Sequence, residues 1–143
     1  MSGSPTVSDV SMRSQVVDHA LERRTALLDL RAGRVDRADA CDASPYLLKA
    51  AERLGTRTER PCPVCARTAL DEVLWVYGDA VGDAAGTART PAQVARLAAE
   101  VPDVVVYLVE VCGGCQWNHL VRSWHEGTPG TAPARRSRRA RGD

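Results

Sequence analysis

Two Cys-x-x-Cys pairs carry the chemistry of this chain: Cys62-Pro63-Val64-Cys65 and Cys112-Gly113-Gly114-Cys115. Two residues between cysteines let one tight turn present both sulfurs to one ion, and four thiolates close a tetrahedral shell around Zn²⁺. Cys62, Cys65, Cys112 and Cys115 are therefore the candidate metal ligands, with one structural zinc as the expected cofactor. A filled sulfur shell leaves no open position for water or substrate, which a catalytic zinc requires. Iron is a rival occupant, because tetrahedral sulfur suits both metals; rubredoxin-like electron-transfer domains, however, are short and lack a helical extension like the one described below. A redox role is a second rival. It fits poorly, since Cys62 follows a polar stretch and Cys112 lies among strand residues rather than at a helix start.

Other reactive side chains give weaker signals. Cys41 stands 21 positions before Cys62 without a Cys or His at ligand spacing, and reads as a small buried residue rather than a fifth ligand. His119 follows the second pair by four positions and could ligate, bond a sulfur or contact RNA; a polar residue on an exposed strand face is the commoner explanation. His19, His119 and His125 are scattered, and none lies in a Ser or Cys nucleophile signature. Gly78, Gly82 and Gly86 match no phosphate-binding loop. No catalytic residue is assigned, and a non-enzymatic protein is expected.

The elements that must position the cysteines can be read from periodicity and caps. Apolar residues from Val16 to Leu30 recur at three and four, predicting an amphipathic helix over 14–30 with Ser14 as N-cap and Gly33 as its stop. A short helix fits 36–41. Another fits 45–54, capped by Ser44, with Pro45 first and Gly55 ending it. These pieces could form a helix-turn-helix unit, though a packing module is the commoner use. Thr56 to Arg60 reads as a polar linker. Strands are predicted over 72–77, 104–111 and 117–124. Between the first two, 78–88 reads as a loop, and Thr90-Pro91-Ala92-Gln93 opens a capping-box helix running to Glu100. The 46 residues between the pairs are more than the roughly 15–20 of short ribbons; the loop and this helix, between two strands, fill the excess. Gly113 and Gly114 are expected to supply positive φ in the second turn.

Composition supports a stapled core. Phe is absent, with three Trp and three Tyr, so the interior must be mostly Leu, Val and Ala. A small β-module of that kind gains little from burial alone, and a metal clip is a common remedy. Trp75, Tyr77 and Trp117 beside Arg122 could stack single-stranded nucleic acid if exposed, but so few rings are needed for the core. The net charge of +1 points to neither a strongly basic nor an acidic surface. It conceals a basic end: residues 131–143 carry +4 through Arg135, Arg136, Arg138, Arg139 and Arg141 against one Asp. Such a run could bind phosphate backbones in a salt-sensitive way. No run of about 18 apolar residues predicts a membrane span. No charged-then-apolar leader is apparent. A reducing cytoplasm is the expected compartment, where paired cysteines favour metal.

Much of the chain, Met12 to about Glu126, resembles an uncharacterised family of small actinobacterial proteins catalogued as a domain of unknown function. The segments that carry the resemblance are Met12 to Asp18, Cys41 to Leu48, Arg60 to Cys65, Val76 to Asp79 and Val109 to Leu120. It implies a start near Met12, tails that are variable additions, and interest in Cys41 and His119. It implies no activity.

The expected molecule is α+β. A disordered extension (1–11) precedes a helical region (12–55), a zinc-ribbon-like domain of about three antiparallel strands (56–126) with an inserted helix at 91–100, and a disordered Arg-rich tail (127–143). Its expected role is an adaptor for a protein partner, on a transcription or translation assembly. The alternatives are a nucleic-acid binder, using the ribbon face and the arginine tail, and a metal-dependent or redox enzyme.

Overall fold

The computed structural model describes residues 13–128. The expected disorder of 1–11 and the five tail arginines lie outside them. In chain order the elements are β1 (Ser14–Asp18), α1 (Ala20–Arg31), α2 (Arg37–Ala40), α3 (Pro45–Leu54), β2 (Thr56–Pro61), β3 (Ala69–Tyr77), a 3₁₀ segment (Asp79–Ala84), β4 (Thr87–Arg89), α4 (Pro91–Glu100), β5 (Val104–Val111) and β6 (Asn118–Glu126). All strands join one antiparallel sheet in the order β1-β6-β5-β3-β2, with β4 added alongside β3.

The best-punctuated elements form where the sequence places them. Ser44 accepts from the Leu47 N–H at the start of α3. Thr90 and Gln93 satisfy each other's backbone N–H groups at the start of α4, a reciprocal box that uses two of the orphan donors at a helix start. β5 matches the predicted 104–111, and its even-numbered residues from Val104 to Glu110 are all buried. Val104, Val106 and Leu108 pack with Val76, Trp124 and, from α4, Val94 and Ala98.

Several readings are corrected. Among the described residues the sheet has six strands rather than about three, and the stretch 78–88 expected as a loop holds the 3₁₀ segment and most of β4. The helix predicted from Ser14 begins instead at Ala20, and Ser14–Asp18 is an edge strand paired with β6. All five residues of that strand are exposed, so the sheet holds it by backbone hydrogen bonds and no side-chain alternation announces it. Gln15 takes φ of +50° where the pairing register slips, as a bulge does. The polar linker is also a strand: β2 pairs with β3, and its Arg and Glu side chains are what an exposed sheet edge carries. Finally, residues 127–128 are ordered rather than part of a loose tail. Gly127 is buried, and Thr128 donates its N–H to the Val101 carbonyl and its hydroxyl to that of Ala98.

The helical region straddles the sheet. α1 packs through Leu27 and Ala26 against Leu70, Cys62, Cys112 and Trp117. α3 packs through Leu47, Leu48, Ala50 and Ala51 against Val73, Trp75, Val109 and Val111. Leu70 and Val73 point to opposite sides of β3, so the two helices lie on opposite faces and do not form a helix-turn-helix unit. The chain crosses between the faces at Cys41-Asp42-Ala43. There the Ala43 N–H bonds the Gln116 carbonyl (3.1 Å), and Asn118 donates to Asp42 (3.0 Å).

Glu110, fully buried, ties these pieces together. Its carboxylate accepts from Arg23 of α1 (2.7 Å), Arg60 of β2 (3.3 Å) and the Trp117 indole (2.8 Å). Arg60 also pairs with Glu72 at 2.7 Å. A buried carboxylate is tolerable only while such partners remain. Arg23→Met should lower unfolding free energy by about 1.5–3 kcal/mol, and the double change with Arg60→Met by about 3–5 kcal/mol, because the charge is then uncompensated. Urea denaturation measures both; a double variant within 1 kcal/mol of the parent, on the order of a surface change, would contradict this role.

Candidate metal centre

Both Cys-x-x-Cys segments are hairpin turns. The first joins β2 to β3, the second β5 to β6. Because β3 and β5 are antiparallel neighbours, with Asp71 opposite Val111, the two turns emerge side by side at one end of the sheet. The 46 residues between the pairs run up β3, through β4 and α4, and back down β5.

The turns share one construction. The first cysteine donates its N–H back across the turn, Cys62 to the Thr68 carbonyl (2.9 Å) and Cys112 to that of Trp117 (2.8 Å). The residue after the second cysteine donates to the first cysteine's carbonyl, Ala66 to Cys62 (3.0 Å) and Gln116 to Cys112 (2.9 Å). Ala66 and Gln116 hold the left-handed conformation, at φ of +61° and +76°. The positive φ expected of Gly113 and Gly114 falls instead on Gln116, one position beyond Cys115. Gly114 serves another purpose: a Cβ there would stand 2.6 Å from the Thr68 hydroxyl. Its bare backbone lets the two turns approach.

Four sulfurs meet in the space between. The Sγ atoms of Cys62, Cys65, Cys112 and Cys115 all lie within 4.8 Å of one another and could hold a metal ion. Across the turns, Cys62 and Cys115 are 3.6 Å apart and Cys65 and Cys112 3.7 Å. Cys62 and Cys112 are buried, while Cys65 and Cys115 are half-buried. The surrounding donors suit thiolates. Cys62 Sγ accepts from the N–H groups of Val64 (3.3 Å) and Cys65 (3.5 Å), and Cys112 Sγ from that of Cys115 (3.3 Å). The backbone N–H groups of Arg67 and Thr68 draw the Cys65 thiol down to about 6. Burial pushes Cys62 up to about 12 and Cys115 up to about 11.

Cys41 stands outside the set of four, as expected, but is not the small buried residue the sequence suggests. It is half-buried, and its thiol points at Cys115 Sγ, 3.8 Å away, from outside the mutual set of four. Its sequence distance from the pairs hides this, since the crossover at residues 41–43 brings it there. His119 lies outside the set of four. Its ring stacks on Trp117 (5.8 Å between centroids, 18° between planes), and Nδ1–H donates to the Leu120 carbonyl at 2.7 Å. Trp117 and Trp124 are buried, leaving Tyr77 and Tyr107 as the exposed ring pair, 5.0 Å apart. Arg23, Arg60 and Glu110 were not singled out from sequence. One available signal was Glu110 sharing the inward register of Val104, Val106 and Leu108.

Fold and site together define a mixed α and β protein whose antiparallel sheet ends in a double Cys-x-x-Cys cluster. The chain belongs to a family of unknown function (DUF5318), whose family model matches residues 10–141. That range takes in the arginine-rich segment, which the resemblance read from the sequence left out as a variable tail. Uncharacterized protein Rv0049 of Mycobacterium tuberculosis and uncharacterized protein Mb0050 of Mycobacterium bovis are each 41% identical over 108 residues, 76% of this chain and 79% of each relative. No solved structure matches the chain. Among the described residues, no helix is long and apolar enough to cross a membrane.

Metal binding at this site must expel protons. Cys62 and Cys115, with values of about 12 and 11, are thiols at neutral pH, whereas metal-bound sulfur is thiolate. At least two protons should leave per ion bound, and affinity should rise roughly a hundredfold per pH unit near neutrality. Competition titrations with a chelator of known affinity between pH 6 and 8 measure the slope. An affinity flat with pH would contradict this assignment of the thiols.

Proposed function

We propose that the four cysteines hold one structural zinc in a ribbon-like site, and that the protein is a small, non-enzymatic cytoplasmic adaptor. The observation that carries the metal reading is the closed set of four sulfurs from two adjacent hairpin turns. A complete sulfur shell supplies the ion with all it needs and leaves no place for substrate. Zinc in such a shell clamps the β2–β3 turn to the β5–β6 turn, and binding energy of that kind is folding energy.

The adaptor reading draws on surface. Tyr77 and Tyr107 are exposed on the sheet face that α3 covers elsewhere, and Tyr46 stands exposed against Trp75, 5.6 Å between ring centroids. Exposed tyrosines offer broad amphipathic contact to a partner. Assignment to a transcription or translation assembly is analogy with other ribbons. An enzyme would need a pocket beside the metal that holds a reactive group. The cleft of about 340 Å³ beside the first turn is lined by Leu27, Leu30, Val35, Pro63 and Val64, with Arg31, Asp36 and Arg37 at its polar positions. Neither Cys41 nor His119 lines it. A nucleic-acid reading draws on Arg135, Arg136, Arg138, Arg139 and Arg141, which against Asp143 leave residues 131–143 at +4.

Purified protein should contain about one zinc per chain, and a strong chelator should abolish its cooperative unfolding transition. Iron, or no metal, would overturn the zinc reading. A partner retained from cell extract at raised salt supports the adaptor. A nucleic-acid mobility shift lost both at raised salt and on removal of 131–143 would replace it.

A further inference from the structure

Cys41 is a fifth thiol against a four-thiol centre. Its Sγ lies 3.8 Å from that of Cys115, yet it does not belong to the group of sulfurs that all lie within 4.8 Å of one another. An ion held by those four leaves Cys41 uncoordinated, with a coordinated sulfur as its neighbour. Cys62 and Cys112 are 1% and 0% exposed, whereas Cys41, Cys65 and Cys115 are half-buried, and of these Cys115 is the one that Cys41 faces. The crossover that carries Cys41 is fixed to the second turn by the Ala43–Gln116 and Asn118–Asp42 hydrogen bonds, so the proximity belongs to the fold.

We propose that Cys41 is a peroxide-sensitive site that forms a disulfide with Cys115 and thereby releases the metal. This rests on the zinc reading above. Hydrogen peroxide would oxidise the Cys41 sulfur by two electrons, its O–O bond breaking to give a sulfenic acid on Cys41, while the other oxygen leaves as water with the proton that the thiol gives up. The Cys115 sulfur then attacks the Cys41 sulfur, forming the S–S bond and expelling the sulfenic oxygen as a second water. One thiol, one zinc-bound thiolate, one peroxide and one proton taken from solvent yield one disulfide and two waters, and zinc stays Zn²⁺ throughout. The sulfurs must close from 3.8 Å to about 2.05 Å, which draws Cys115 toward the crossover and out of the shell. Three thiolates remain, and a closed structural site becomes an open one.

The test uses the full chain, its zinc content measured first. After treatment with one equivalent of hydrogen peroxide and alkylation of free thiols, peptide mass spectrometry with fragment assignment should find Cys41 joined to Cys115. A colorimetric chelator should report zinc release in step with that bond, and a dithiol reductant with added zinc should restore the starting state. Cys41→Ser and Cys41→Ala should hold the same zinc as the parent and release it at least tenfold more slowly under peroxide. First-formed disulfides within Cys62–Cys65 or Cys112–Cys115, or parental release rates in zinc-loaded Cys41 variants, would overturn the proposal. The disulfide map of the parent stands even if a variant fails to fold. A parent that forms the Cys41–Cys115 bond but carries no zinc would overturn the metal reading and the release step while supporting the pairing.

Discussion

Four cysteine sulfurs within 4.8 Å of one another cannot all carry charge unless a cation lies among them. Two unit charges 4 Å apart repel by about 4 kcal/mol at an effective dielectric of 20. Without an ion, burial keeps Cys62 and Cys115 as thiols, with values near 12 and 11. A divalent ion converts that mutual repulsion into attraction to a common centre. The site is a place where a metal ion could be held, and the elements around it make sense as the means of holding four sulfurs at one point.

The antiparallel pairing of β3 with β5 does most of that placing. It sets two hairpin turns side by side, and Gly114 gives them room to approach. The β2 edge supplies the first cysteine pair from one side and β6 completes the second turn from the other. Glu110, two residues before Cys112, fastens α1 and β2 to the same end through Arg23 and Arg60 and fixes the Trp117 indole. α1 covers the cysteine end on one face, and α3 covers the opposite face. The strand of chain between them passes beside Cys115, which is how a cysteine far away in sequence comes to touch the cluster.

The legible parts of the sequence were those written in local chemistry. Ser44-Pro45 and the Thr90–Gln93 box mark helix starts by satisfying particular backbone donors, and β5 declares itself as a continuous β-branched run buried on one face. The double Cys-x-x-Cys spacing pointed to one site because paired cysteines at this spacing suit a shared ion, and the four sulfurs do lie together. What stayed hidden were the edges. β1 and β2 bury almost nothing, so the partner strand alone specifies them, and Val16 and Val17 happen to extend the helical period of α1. The positive φ at Gln116 rather than at the two preceding glycines could not be read either, since spacing alone does not say which residue of the turn takes it. The proximity of Cys41 to Cys115 and the convergence of Arg23 and Arg60 on Glu110 depend on tertiary contacts across 74, 87 and 50 positions, beyond the reach of any periodic pattern.

A structural zinc at this site requires a closed coordination shell of four sulfurs. X-ray absorption at the zinc edge on protein purified without added metal measures it directly. Four sulfur scatterers at about 2.3 Å, with no nitrogen or oxygen in the first shell, are the predicted result. A shell containing a light atom in place of a sulfur would contradict a closed structural site built by Cys62, Cys65, Cys112 and Cys115, and the absence of a zinc edge would contradict zinc itself.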